Sequence, residues 1–384
     1  MRWRAIEIFS AMVAVSPALA GTIRHDVDDS NYTSLAAEAR YASVGAVLFT
    51  IATPEGPAGR IGSGTLVASD WVLTAGHIVG GNDFEGGGIT NMRFVLGSTA
   101  TGTPVFADDW IPLPGWNGST FSGLDVGLVH LSSDIFSVTP AKRYIGTGEK
   151  TMTGTNVGYG RTGTGTSGDT VNPGVKRAGN NVLDLFGNEY DTNYSSNIVL
   201  SDFDRPSVPS ESSMGSSTPL ALEYQIAGGD SGGPVFVDVD TDTLIAAVHS
   251  FLRWDDNSGN ADYGDKSGST RLNGVWQTTK IINDWISSVI TVPGDVDSDF
   301  DVDLSDLSAL AGSYGMLTGG HWHLGDFDLD GDVDLNDLSS LASNYGSGEA
   351  QAFTDFASLA SVPEPAGLAM VALTALCVRW RHRA

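Results

Sequence analysis

The stretch AGGDSGGPV, residues 227–235, packs four glycines, an acid, a serine and a proline into nine positions. Gly, Asp, Ser and Pro are the ordinary material of turns. So many small residues also open the backbone, so that another group can approach Ser231 closely. A serine hydroxyl is a poor nucleophile without an adjacent base. The choice between turn and reactive site therefore rests on whether the chain supplies a base and an acid to go with it.

Seven histidines could supply the base. His77 ends DWVLTAGH, where a strand-like run meets a small-residue turn, which puts an imidazole at a strand end on an open surface. His130 reads as a packed residue of the LDVGLVHL strand, and His249 in AAVHSF is a weaker competitor. His25 lies near the start of this region, and His321, His323 and His382 lie beyond it. A third member must be a carboxylate that holds the other imidazole nitrogen. Asp125 opens an apolar strand, where a solvated acid has little reason to sit, although a strand-end cap is the plainer alternative. Asp108, Asp109 and Asp134 have weaker contexts.

Around these residues, short Val-, Leu-, Ile- and Phe-rich runs alternate with Gly, Asp, Asn and Pro, a β pattern. The count of 48 Gly in 384 residues is well above average use. The segment TKIINDWISSVI, 279–290, changes period: Ile281, Ile282, Trp285, Ile286 and Ile290 share one helical stripe, and TVPG follows as a boundary. Acids outnumber bases 46 to 20, a net charge of -26 that repels phosphate, so no nucleic-acid partner is expected. The single cysteine, Cys377, permits neither an intramolecular disulfide nor a cysteine metal cluster.

Taken together, LTAGH, LDVGLVHL and GGDSGGPV resemble the histidine, aspartate and serine motifs of the trypsin/chymotrypsin-like serine proteases, in the same order. GSGTLVASDWVL, LIAAVHSF, NGVWQTT and the closing helix add to a resemblance that covers roughly residues 40–290. It implies an all-β, double six-stranded β-barrel, chymotrypsin-like, with a C-terminal helix. It also implies that Ser231 attacks a scissile carbonyl, that His77 takes its proton and that Asp125 orients His77. Gly229 and Ser231 would donate backbone N–H groups to the oxyanion, and Ser250 would hydrogen-bond Asp125.

This sequence departs from the family in three respects. The usual disulfides are missing. No R-I-V-G-G activation site appears, so Asp230 pairs either with a processed N-terminus near Gly21–Ile23 or with another group. Finally, Gln225 stands where trypsin-type members carry Asp, which argues against Lys or Arg as the preferred substrate residue. The specificity pocket implied by the resemblance comprises Gln225, Ser250, Leu252 and Gly274. Gly274 keeps one wall open and Leu252 narrows the entrance, so a small or medium apolar residue is expected there.

Between Asp295 and Asp337 lie twelve Asp and no Lys or Arg. Asp295, Asp297, Asp299, Asp303 and Asp306 occupy loop positions 1, 3, 5, 9 and 12, with the Asp301 carbonyl at 7. Asp326, Asp328, Asp330, Asp334 and Asp337 repeat the pattern, with Asp332 at 7. Hard oxygen donors at alternate positions suit Ca²⁺. Each loop leads into a short helix, and the pair resembles the type I dockerin module, which implies a cohesin-like partner. Gly331 fills the sharp-turn position of the second loop, whereas Phe300 replaces it in the first, which should be the weaker site. Leu304-Ser305 and Leu335-Asn336 occupy the places that choose the partner and leave it undefined. The HWH segment reads as a linker or, less favourably, a transition-metal site.

Met1–Arg4, Ala11–Val15 and Ala18-Leu19-Ala20 together read as a signal peptide cleaved after Ala20. Ala366–Val378 is an apolar run too short to span a bilayer. Preceded by VPEP and followed by RWRHR, it resembles the PEP-CTERM sorting signal of Gram-negative, biofilm-forming bacteria, which implies an exosortase-type processing enzyme; a simple membrane anchor is the alternative. The resulting organisation is a signal peptide (1–20), a protease domain (21–290) and a dockerin-like module (291–346). A linker (347–361) and a sorting signal with transient membrane contact (362–384) complete it. The function expected is a secreted or cell-surface serine endopeptidase acting on protein or peptide substrates. A catalytically silent scaffold or a calcium-dependent adhesin are the alternatives.

Overall fold

The run VGAVLFTIAT alternates large apolar with small residues, and it forms a ten-residue strand whose inward side chains Val47, Phe49 and Ile51 are buried. The computed structural model describes residues 21–80, 88–253, 261–273, 275–276, 280–346 and 349–360. The expected signal peptide, Gly274, Cys377 and the sorting signal lie outside them. By its contacts the chain divides into two units at 274/275, ahead of the boundary expected at 290.

The first unit opens with strand β1 (Gly21–Ile23) and helix α1 (Asp29–Ala36). There follow β2 (Val44–Thr53), β3 (Gly56–Leu66), β4 (Trp71–Thr74), a short helical turn α2 (Gly76–Val79), β5 (Ile89–Leu96), β6 (Val105–Pro112) and β7 (Gly127–Leu131). These six strands close into a barrel in the order β2-β3-β4-β7-β6-β5. Closure needs both edges of β2, which pairs with β3 on one side and β5 on the other.

The chain continues through β8 (Thr153–Gly158), β9 (Thr162–Thr164), β10 (Gly168–Val171), β11 (Arg177–Val182), β12 (Leu185–Phe186), α3 (Gly187–Tyr190), β13 (Ile198–Asp202) and β14 (Tyr224–Gln225). β15 (Pro234–Val239), β16 (Asp242–Arg253) and β17 (Lys266–Arg271) complete the unit. The expected second six-stranded barrel is not what forms. Seven strands make a sheet in the order β11-β8-β15-β16-β17-β13-β12, and among the described residues it is a half-barrel. At one end β12 has only two residues; at the other, the outer edge of β11 is occupied by Glu223 and Leu222 beside Asn180. β14 in turn pairs with β1 in a separate four-stranded sheet.

The second unit begins with a hairpin of β18 (Val275–Trp276) and β19 (Lys280–Ile281), then α4 (Ile282–Ile290). Ile282, Ile286 and Ile290 are buried as the stripe predicts, but Ile281 belongs to the strand. Helices α5 (Leu304–Ser313) and α6 (Leu335–Asn344) follow the two acidic loops. Their core repeats itself: Val296, Val302, Leu307 and Leu310 recur at the same offsets as Phe327, Val333, Leu338 and Leu341. The stretch expected as a linker at 347–361 instead carries α7 (Glu349–Ala360), whose Ala352, Phe356 and Leu359 pack on that core. HWH is no loose linker either, because Trp322 is buried and donates its indole N–H to the Asp295 carbonyl at 2.7 Å. No helix among the described residues is long and apolar enough to cross a membrane.

A group of acids is buried in the first unit. Burial pushes the carboxyls of Asp184, Asp204 and Glu223 up to about 7, 6 and 8. The folded state therefore keeps protons that the unfolded chain releases near its ordinary values of 3.8 to 4.5. The resulting stability is complete below that range and is lost as pH rises through 6 to 8. Thermal melts of the first unit should shift downward between pH 5 and pH 9, and Glu223→Gln should flatten that slope.

Candidate active site

His77 stands in α2, directly after β4, and Asp125 grips it twice. Its backbone N–H donates to Asp125 Oδ1 at 2.7 Å, and its ring Nδ1 lies 2.8 Å from Oδ2. Asp125 is fully buried, whereas the imidazole keeps 13 % of its surface exposed. A third donor comes from the half-barrel, where the Ser250 hydroxyl donates to Asp125 Oδ2. The pairing of β16 with β17 slips between His249 and Phe251, a bulge that falls on Ser250. Bulges re-aim side chains in this way.

Ser231 lies in the loop between β14 and β15, half-buried. Its carbonyl accepts from the Ser63 amide at 2.8 Å, and the Ser63 hydroxyl donates to the Gly229 carbonyl at 3.0 Å. Ser63 also accepts from the Tyr159 amide at 2.9 Å, so β3 of the barrel clamps the serine loop to the half-barrel. Within the loop, the amides of Asp230, Gly232 and Gly233 bond to nearby carbonyls. Those of Gly229 and Ser231 donate to no acceptor among the described residues. Gly229 has φ +101°, a conformation that favours glycine.

Asp230, also fully buried, accepts from the amides of Gly160 and Ala227, each at 2.8 Å, and from the Tyr224 hydroxyl at 3.3 Å. Burial raises its carboxyl to about 7. These three donors are the partners that the sequence left open for Asp230.

Of the expected pocket residues, Gln225 is fully buried, with neither amide atom bonded among the described residues. Ser250 turns to Asp125, and Leu252 packs beside Ile23, Tyr32, Tyr224 and Ile226. A cavity of about 660 Å³ opens beside the serine, lined by His77, Gly229 and Ser231 together with Arg60, Arg93 and Arg161.

The other candidates find different surroundings. His130 is not packed in the core: its ring is one-third exposed between Asp108 at 2.6 Å and Asp70 at 3.3 Å. His249 is fully buried, and its ring is pushed down to about 4. Asp134 accepts from Ser69 at 2.6 Å, and Asp109 from the Trp110 amide at 2.8 Å. Sequence reasoning missed Ser63, although it lies in the GSGTLVASDWVL motif, and it missed all three arginines.

The trypsin family model matches residues 47–286, more than half of the chain. The chain belongs to the trypsin family. The chain thus carries a trypsin-like serine protease domain of the chymotrypsin type, one barrel closed and the other, among the described residues, a half-barrel. The chain is also similar to a solved structure described as HL collagenase. That likeness is 18 % identical, covers 71 % of this chain and 97 % of that one, and has a TM-score of 0.46. No curated protein matches the chain significantly.

The acidic loops gather carboxylates into four trios: Asp295, Asp297 and Asp299; Asp301, Asp303 and Asp306; Asp326, Asp328 and Asp330; Asp332, Asp334 and Asp337. Within each trio the candidate oxygens lie within 4.8 Å of one another. Asp306 and Asp337 reach back to the amides of Val296 and Phe327, and Asp303 and Asp334 cap α5 and α6. Burial raises Asp295 and Asp326 to about 6. An all-oxygen donor set, repelling itself and partly buried, fits a hard divalent cation such as Ca²⁺. Phe300 takes φ +73° where Gly331 takes +101°.

Gly232 tests how firmly the serine loop is seated. At φ +81°, an added Cβ would meet Thr74 Oγ1 at 2.1 Å and the Ser63 carbonyl at 2.4 Å. Gly232→Ala should destabilise the first unit by about 2 kcal/mol or more. Calorimetry should register this as a fall in the corresponding melting temperature.

Proposed function

We propose that the protein is an exported serine endopeptidase in which Ser231, His77 and Asp125 act as a catalytic triad. The observation that carries the reading is the grip of a wholly buried carboxylate on both the amide and the ring nitrogen of His77, whose imidazole shares a cavity with Ser231. With Nδ1–H held by Asp125, Nε2 is left as the base that takes the hydroxyl proton of Ser231. The freed oxygen adds to the scissile carbonyl, and the amides of Gly229 and Ser231 receive the oxyanion. One such donor is typically worth 10²–10³ in turnover. His77 returns the proton to the leaving amine, and water then hydrolyses the acyl-enzyme by the reverse sequence. Ser250 shares the charge of Asp125 and holds it in place.

Cleavage before Gly21 and sorting of the tail by an exosortase-type enzyme deliver the protein to the outside or to the surface of a Gram-negative cell. The acidic loops hold Ca²⁺ through the carboxylates named above, with Asp301 and Asp332 as carbonyl donors, and the folded module docks a cohesin-like protein. The cation is structural and takes no part in hydrolysis.

A fluorophosphonate probe should label the full chain, and Ser231→Ala should remove both the label and peptide hydrolysis. Asp125→Asn should keep the fold while lowering kcat by about 10⁴. Labelling that survives Ser231→Ala, or an unlabelled wild-type chain, refutes the assignment. For the loops, calorimetric titration with Ca²⁺ should resolve a tighter and a weaker site. Phe300→Gly should strengthen the weaker one by about 1 kcal/mol, by removing left-handed strain at a non-glycine residue. A chelator should lower the melting of the second unit and leave hydrolysis intact.

A further inference from the structure

We infer that the cleft beside Ser231 selects acidic residues on the side of the substrate that leaves with the amine, using Arg60, Arg93 and Arg161. This rests on the proteolytic reading above and names a substrate class within it. Arg60 lies on β3, Arg93 on β5 and Arg161 after β8, and all three line the same cavity as His77 and Ser231. Gln225 and Leu252, which the family resemblance assigns to the pocket before the scissile bond, do not line it. The cavity therefore receives the residues that follow the bond. Leu48 and Ile61 add apolar lining to it.

What sets Arg60 and Arg93 apart, and in part Arg161, is their lack of neutralisation among the described residues. The chain has 46 acids for 20 bases, and five of its other arginines hold carboxylates: Arg24 with Asp26, Arg40 with Glu38, Arg177 with Asp29, Arg205 with Glu211 and Arg271 with Glu149. Among the described residues the Arg60 guanidinium donates only to the Gly59 carbonyl at 3.2 Å, and that of Arg93 only to Asn91 Oδ1 at 3.4 Å. Neither has a carboxylate partner among the described residues. Arg161 turns its Nε to Asp169, at 3.0 Å from the carbonyl and 3.4 Å from Oδ2, while its side chain stays 42 % exposed. Its Nη groups therefore have no acceptor among the described residues. A guanidinium offers five donors in a planar fork suited to a carboxylate. Three forks with most of their donors unused, in a concave wall beside the nucleophile, favour a substrate that carries Asp or Glu at the first two positions after the cleaved bond.

A peptide library randomised around the cleavage point, read by mass spectrometry on the full chain, first gives a cleaved sequence. Matched internally quenched peptides then carry Glu, Gln or Lys at each of the two following positions. The Glu peptides should exceed the Lys peptides about tenfold in kcat/KM at low salt, chiefly through KM, with the gap shrinking as ionic strength rises. Arg60→Gln with Arg93→Gln should remove most of the difference, and Arg60→Glu with Arg93→Glu should reverse it, while fluorophosphonate still labels Ser231 in both variants. Equal turnover of the three peptides, or a Glu preference that persists in the double Gln variant, overturns the inference but leaves the protease assignment standing. Absence of both cleavage and labelling overturns that assignment, and the inference with it.

Discussion

A carboxylate taken wholly out of water is costly unless donors meet its charge, and the penalty for leaving it unpaired runs to several kcal/mol. Asp125 is such a group, and its three donors come from different parts of the first unit. Two belong to His77, on the turn that follows barrel strand β4. The third is Ser250, on the bulge of β16 in the half-barrel. Neither sheet alone can satisfy the charge. Once both have formed, the carboxylate fixes the ring plane of His77 and allows Nδ1 one orientation. The need to neutralise a buried charge and the need to aim an imidazole are thus met by the same three hydrogen bonds.

Ser63 does the corresponding work for the serine loop. From β3 it bonds the loop at Ser231 and Gly229 and receives the Tyr159 amide, while its own carbonyl accepts from Thr74 at 2.8 Å. Thr74 ends β4, a few residues before His77. Nucleophile loop and histidine turn are therefore both referenced to two adjacent barrel strands. A rigid reference suits a site whose groups must hold their geometry to a fraction of an ångström.

The proposed triad was legible in the sequence because each member sits in a local pattern: a small-residue turn after an apolar strand, an acid opening a strand, a glycine-flanked serine. Ser250 was legible only through the family resemblance, since nothing in AAVHSF announces a bulge. The half-barrel was not legible, because closure depends on which edges find partners, and Glu223 and Leu222 meet β11 only in three dimensions. Helix α7 was hidden by a polar, weakly charged composition that reads as a linker. Ala352, Phe356 and Leu359 nevertheless recur at helical spacing and carry the contacts that order it. Arg60, Arg93 and Arg161 gave no signal, because lone arginines on separate segments carry none until the fold gathers them.

Charge in this molecule has to be read locally. A net of -26 suggests a surface hostile to acidic substrates, yet at physiological salt exposed charges are largely screened beyond about 8 Å. Twelve of the acids are concentrated in two loops of the second unit, so the net charge by itself does not describe the field inside a cleft. What a peptide meets beside Ser231 is set by the groups lining that wall, where apolar side chains lower the local dielectric and strengthen each arginine's reach. An acid-rich chain can therefore present a cationic cleft, provided that its fold keeps its own carboxylates out of that space. Arg60 and Arg93, left without carboxylates among the described residues, meet that condition, and Arg161 meets it in part, since its Nε alone is turned to Asp169.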